Sequence, residues 1–311
     1  MSIDLSVNVG SLALHNPLMT ASGCSGYGKE LAAYDDLSWL SAIVGKSISR
    51  EPRLGNPYPR TCETPSGMIN AIGLPNEGWE SYTRNTLPLM RELVRGKPTK
   101  IVLNIVGHDL DEYTWVAERA NDESDIAAVE LNLSCPNVAG GLQFSTTADG
   151  CEKLVKAVRK VLKLPLIAKL SPNVTSVADI ARAAEAAGAD SLSLINTVLG
   201  MNVDWRKRKA LVANGMGGLS GPAIKPIALR CVYEACKAVK IPVIGIGGIC
   251  TADDVLDFMV CGASAVQLGT VLFVEPDAPQ RIARDLKERM REAKVEKLSS
   301  LIGTLRAREG A

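Results

Sequence analysis

Apolar runs rich in Val, Ile and Leu recur eight times along the chain, several closing on a small or polar residue: residues 17–22, 41–46, 101–106, 128–134, 166–170, 191–196, 242–247 and 265–270. Runs of this length, with little polar alternation, fit strands buried on both faces, as in a parallel sheet. Between most of them the apolar spacing becomes helical. It predicts helices over 109–121, 147–162, 176–188, 224–239, 252–261 and 278–293. The second carries Leu154, Val155, Val158, Val161 and Leu162 on one stripe, with Asp149 as its expected cap. The third ends on Gly188, as helices often do. Eight strand–helix alternations predict an α/β fold, a (β/α)8 TIM barrel forming a single domain over residues 1–311. A doubly wound open sheet is the alternative compatible with the same alternation.

The pattern lapses twice. Residues 47–100 hold seven prolines (Pro52, Pro57, Pro59, Pro65, Pro75, Pro88 and Pro98) and are too long for a plain loop, so they are expected to carry structure or function of their own. Residues 196–225 are rich in glycine and contain Arg206-Lys207-Arg208-Lys209, read as a solvated hairpin tip rather than a binding patch.

Composition narrows the function. Lys and Arg number 35 against 34 Asp and Glu, a net charge of +1, which leaves no basic excess for nucleic acid or a membrane surface. Aromatics are 4%, too few for a base-stacking platform. The two histidines, His15 and His108, and eight cysteines without a C-x-x-C pair argue against a zinc or iron–sulfur site in this chain, so no metal is expected. Without a signal peptide or an apolar run of ~18 residues, reduced thiols in the cytoplasm are the simplest expectation.

In a barrel, chemistry gathers at the C-terminal ends of the strands. Here those ends read Ser22, Lys46-Ser47, Asn104, Asn132 with Ser134-Cys135, Lys169, Asn196-Thr197, Gly247-Gly248 and Gly269-Thr270. Lys46 and Lys169 interrupt apolar runs. A buried lysine without a partner is costly, so an anionic ligand in the mouth is the natural partner. The glycine loops after strands seven and eight stand where barrels of this kind bind phosphate through backbone N–H groups, and Gly221-Pro222 is expected to add a third set of donors. Taken singly, each glycine fits a tight turn equally well; together they favour a phosphorylated cofactor. No early G-x-G-x-x-G or Walker lysine motif is present. Cys135, directly after a buried strand and flanked by Asn132 and Asn137, is the candidate proton acceptor, and most of the other seven cysteines read as packing residues.

At these residues the sequence resembles the class 1 dihydroorotate dehydrogenases. The likeness runs over nearly the whole chain. It includes Ala21-Ser22-Gly23-Cys24, the stretch from Arg53 to Arg60, Ser66 to Leu74, Asn132 to Asn137, Ala168-Lys169-Leu170-Ser171-Pro172, Gly217 to Gly221 and Gly245-Ile246-Gly247-Gly248. Within class 1 the segments Thr64 to Met68 and Asn214 to Lys225 look like class 1B, the NAD-linked type, although Pro75 stands where class 1B more often has Gln. The resemblance implies FMN held by Ser22, Lys46, Ser47, Asn104, Asn132, Lys169, Ile195, Gly221, Gly247, Gly248, Gly269 and Thr270. It implies a dihydroorotate or orotate site at Lys46, Asn70, Ala71, Ile72, Gly73, Leu74, Asn132, Asn137, Asn196 and Thr197, with Cys135 as base and Lys169 beside the flavin N1–O2 edge. Class 1B further implies a homodimeric core joined to an electron-transfer subunit that bears FAD and a 2Fe-2S iron–sulfur cluster and reduces NAD+. A class 1A enzyme using fumarate, another FMN-dependent dihydropyrimidine oxidoreductase, and a phosphate-binding barrel without chemistry remain as alternatives.

Overall fold

The computed structural model describes residues 3–34, 36–133, 144 and 146–306. The eight apolar runs form eight strands: β1 (Leu18–Thr20), β2 (Ala42–Val44), β3 (Lys100–Ile105), β4 (Ile126–Asn132), β5 (Leu166–Lys169), β6 (Ser191–Leu194), β7 (Val243–Ile246) and β8 (Ala265–Leu268). Each pairs in parallel with its sequence neighbours, and β8 pairs with β1, so the sheet closes into a barrel. The open-sheet alternative is thereby excluded. Six of the eight strands are buried at every position, because side chains of one face fill the barrel and those of the other lie under helices.

The connecting helices follow the predicted spacing. Asp109, Thr147, Ser176 and Thr251 each accept a backbone N–H at the start of a helix. One expected cap is corrected: Thr147, not Asp149, caps Ala148–Val161. Thr147 has the extended backbone of a cap and accepts from the Gly150 N–H at 3.1 Å, whereas Asp149 is already inside the first turn. There its charge favours the helix N-terminus without closing it.

The two irregular stretches have structure of their own and meet each other. Thr61–Thr64 and Gly67–Asn70 form a hairpin; Gly67–Asn70 also pairs with Gly217–Ser220, which pairs in turn with Val198–Gly200, giving a four-stranded antiparallel sheet. Helix Leu87–Val94 completes the β2–β3 crossover. Val203–Asp204 pairs with Lys209–Ala210, leaving Arg206, Lys207 and Arg208 exposed at the tip as expected. At the other end of the barrel an N-terminal hairpin, Val7–Val9 with Leu12–Leu14, packs Gly10 beside Asp190, the residue preceding β6. Among the described residues no helix is long and apolar enough to cross a membrane.

Candidate active site

The strand ends and the four-stranded sheet enclose a cavity of about 990 Å³, at the upper end of the range for small-molecule and cofactor sites. Its walls contain Ser22, Lys46, Ser47, Asn70, Ala71, Ile72, Gly73, Leu74, Asn132, Lys169, Ile195, Asn196, Thr197, Gly221, Gly247, Gly248, Gly269 and Thr270. Asn104 is the exception: it is fully buried and outside the cavity wall, with its amide turned to a carboxylate in the barrel. Cys135 and Asn137 lie outside the described residues.

The two lysines differ in their surroundings. Lys169 does not depend on a ligand for a counter-charge, because Glu130, itself fully buried, lies 3.7 Å away. The expectation that an anionic ligand neutralises both lysines is corrected to that extent. Among the described residues no carboxylate ion-pairs with Lys46. Burial holds its pKa below the ordinary lysine value; the Cys24 thiol opposes that shift, and Lys169 and Arg60 add to it. An anion placed beside Lys46 relieves this penalty.

The phosphate-type loops lie where expected. The N–H groups of Gly247, Gly248, Ile249, Gly269 and Thr270 take no backbone acceptor among the described residues, and Thr270 Oγ1 donates to Ser220 Oγ at 2.8 Å. Gly248 has φ +75° and sits so close to the start of helix Lys225–Ala238 that a Cβ would stand 2.8 Å from the Lys225 nitrogen. The third donor set is corrected: the Ala223 N–H is bonded to Ser66 O at 3.0 Å and the Ile224 N–H to Gly221 O at 3.1 Å. Gly221 lines the cavity, but these neighbouring donors are spent within the chain.

Neutral amides dominate the opposite wall. Asn70 donates to Gly218 O at 3.2 Å, and Asn196 Oδ1 accepts the Thr197 N–H at 2.8 Å. The Asn132 carbonyl accepts from the buried Tyr113 hydroxyl at 2.8 Å, which fixes the end of β4. Asn56 bonds the backbone of Ala71 and Ile72, and Asn76 ties Leu74 to Ser49, so the 70–74 wall is braced on both sides. Such amides offer both donors and acceptors to a neutral heterocycle, with one ammonium for an acidic substituent.

Sequence reasoning missed three features. Glu130, together with Ser193 and Gln267, forms a buried polar group under Lys169; the signal was a charged residue inside an apolar run, the same signal that marked the lysines. Cys24 packs against the core and also lines the cavity beside both lysines. Burial pushes its thiol up despite their charge, so it is held as a thiol rather than a thiolate base. Arg53, paired with Glu112 at 3.0 Å, and His108 also reach the cavity wall.

A family model described as dihydroorotate dehydrogenase matches residues 4–290. Two bacterial proteins named dihydroorotate dehydrogenase B (NAD(+)), catalytic subunit, are similar along nearly their whole length. That of Citrifermentans bemidjiense is 48% identical over 303 residues, covering 97% of this chain and 98% of its own. That of Solidesulfovibrio magneticus is 50% identical over 308 residues, covering 98% and 99%. Among solved structures, the dihydroorotate dehydrogenase of Eimeria tenella in complex with ferulenol matches with a TM-score of 0.80 at 22% identity, over 96% of this chain and 88% of that one. At that identity the likeness speaks for the fold.

Proposed function

The chain belongs to the dihydroorotate dehydrogenase family, and on that premise we propose that it oxidises (S)-dihydroorotate to orotate in pyrimidine synthesis as a class 1B catalytic subunit. The observation that carries this reading is Lys46, a cavity-lining ammonium without a carboxylate partner among the described residues, set among neutral amides. That combination suits a neutral pyrimidine ring bearing one carboxylate.

The residues present fit FMN. Backbone N–H groups of the β7 and β8 loops without backbone acceptors among the described residues, backed by the Thr270 hydroxyl, suit its phosphate. Ser22, Ser47, Asn132, Ile195 and Gly221 line the space for the ribityl chain and ring. Lys169 supplies positive charge where the reduced ring is negative. When bound, FMN supplies the acceptor for hydride from substrate C6.

The chain's own groups do the rest. Lys46 holds the substrate carboxylate, while Asn70, Asn132, Asn137, Asn196 and Thr197, with the 71–74 backbone, orient the ring. Cys135, three residues beyond Asn132 in sequence, removes the C5 proton as a thiolate. Onward transfer to NAD+ requires an electron-transfer subunit bearing FAD and a 2Fe-2S cluster, assembled on a homodimer of this chain. The printed name "catalytic subunit" of the relatives supports a partner, and the free thiols of the seven described cysteines accord with a reducing cytoplasm.

The test is reduction of the purified chain's flavin by dihydroorotate, followed by turnover with NAD+ or fumarate, with and without the co-expressed flavoprotein subunit. NAD+ turnover that needs the second subunit is expected. Purification without flavin absorbance overturns the enzyme reading, and turnover with fumarate by the chain alone overturns the class.

A further inference from the structure

Glu130 sits in the middle of β4 and is fully buried, directly beneath the cavity. Side chains from four other strands close on its carboxylate. Asn104 of β3 donates to Oε1 at 2.7 Å; Ser193 of β6 and Gln267 of β8 donate to Oε2 at 2.8 and 2.6 Å; Lys169 of β5 stands 3.7 Å from Oε1. Every one of these groups is a donor. Both amides turn their NH2 groups to the carboxylate, which leaves Asn104 Oδ1 and Gln267 Oε1 buried without a partner among the described residues. That orientation suits a carboxylate, whose two oxygens can accept from all of these groups at once. Lys169 is the counter-charge to this carboxylate.

Stability gives no reason to keep such a pair, since well-packed apolar side chains of similar volume usually do as well in a barrel core. Its geometry points elsewhere. At 3.7 Å the carboxylate attracts the ammonium without taking up one of its hydrogen bonds, so the three N–H donors of Lys169 stay available to the cavity it lines.

Resting on the reading that FMN occupies this cavity, we infer that Glu130 is a positioning residue for the redox step. It holds the Lys169 ammonium at the cavity floor and offsets part of its charge. It thereby sets how strongly the site favours the more negative, reduced form of the cofactor. The residue acts through Lys169 and touches neither substrate nor cofactor.

The experiment is a potentiometric titration of the FMN-loaded protein against reference dyes, with melting temperature recorded alongside. Glu130→Gln leaves Lys169 uncompensated, so the ratio of reduced to oxidised FMN at a fixed potential rises about tenfold, ~30 mV for a two-electron couple. Ser193→Ala removes one donor but keeps the charge; it lowers the melting temperature and leaves the potential unmoved. Glu130→Asp retains the charge one methylene further from Lys169 and gives a smaller rise, about threefold. A Glu130→Gln protein that melts lower yet keeps the wild-type potential overturns the inference, because the carboxylate then serves packing alone. If Glu130→Gln does not fold, Glu130→Asp decides: an unmoved potential, or a second failure to fold, overturns it equally. A wild-type protein that binds no flavin fails the functional reading itself, which is a separate result.

Discussion

Thr197 Oγ1 fills the space that a Cβ on Gly218 would need. The strand Gly217–Ser220 can therefore run beside the cavity wall only with glycine at that point, and the Gly218 carbonyl accepts from Asn70 at 3.2 Å. Two residues proposed to hold the substrate ring are thus set by one glycine. Gly218→Ala is expected to push Thr197 aside and lower kcat/KM for dihydroorotate by about tenfold, ~1.4 kcal/mol of transition-state stabilisation, while FMN absorbance is retained. Steady-state kinetics with the flavin spectrum as control checks this; kcat/KM within twofold of wild type would remove Thr197 from the substrate wall.

The correction at the start of helix Ala148–Val161 has its own test. Thr147 makes the capping hydrogen bond, and Asp149 contributes only charge to the first turn. Thr147→Ala is expected to cost about 1 kcal/mol and Asp149→Ala about 0.3–0.5 kcal/mol in urea unfolding. The reverse order would restore Asp149 as the cap.

The barrel was legible because its signal is local: a strand buried on both faces must be apolar throughout, and every strand run ends where the fold puts chemistry. The glycine loops after β7 and β8 and both lysines that line the cavity were found that way. What stayed hidden depends on partners distant in sequence. Glu130 draws its donors from residues 26, 63 and 137 positions away, and Asn70 meets Gly218 across 148. No periodicity in one segment reports such pairings. Cys24 was not singled out for a related reason: a cysteine between small residues looks the same in sequence whether it faces a core or a cavity, and only the closed barrel brings Lys46 and Lys169 beside it.

Lys46 gives a pH prediction. Its folded-state pKa is lowered by burial, with the Cys24 thiol opposing and Lys169 and Arg60 adding. Between that lowered value and the ordinary 10.5, the unfolded chain binds more protons than the folded one. Stability of the substrate-free protein therefore rises with pH through this window, and the penalty is fully present below it. Lys46→Met removes that contribution. The variant is expected to melt about 1–3 °C higher than wild type at neutral pH, with the difference narrowing toward pH 10, and to bind orotate at least about tenfold more weakly. A pH-independent difference in melting temperature would place the Lys46 ammonium in solvent-like surroundings.

Cys135 carries the proton step in the proposed reaction. Cys135→Ala is expected to retain FMN and to slow flavin reduction by dihydroorotate about 10²–10⁴-fold, the usual contribution of a positioned base. Cys135→Ser retains more of the rate, because a hydroxyl can pass the proton on but is far less acidic than a thiol. Stopped-flow loss of oxidised flavin absorbance measures both. Reduction at the wild-type rate in the Ala variant would assign the base to another residue.

The phosphate loop can be tested apart from backbone strain. Gly248 and Gly96 both have left-handed backbones, with φ +75° and +72°. A Cβ on Gly248 would press within 2.8 Å of the Lys225 nitrogen and 2.9 Å of its Cα, whereas a Cβ on Gly96 meets nothing within 4 Å. Alanine at either position pays the left-handed penalty of roughly 1–2 kcal/mol. Only at Gly248 must the loop after β7 also move, taking with it the N–H groups proposed to face the FMN phosphate. Gly96→Ala is therefore expected to melt lower with FMN affinity unchanged. Gly248→Ala is expected to melt lower and to release FMN at least about tenfold more readily, read by fluorescence of the freed flavin on dilution. Equal FMN affinity in the two variants would mean that the β7 loop does not hold the phosphate.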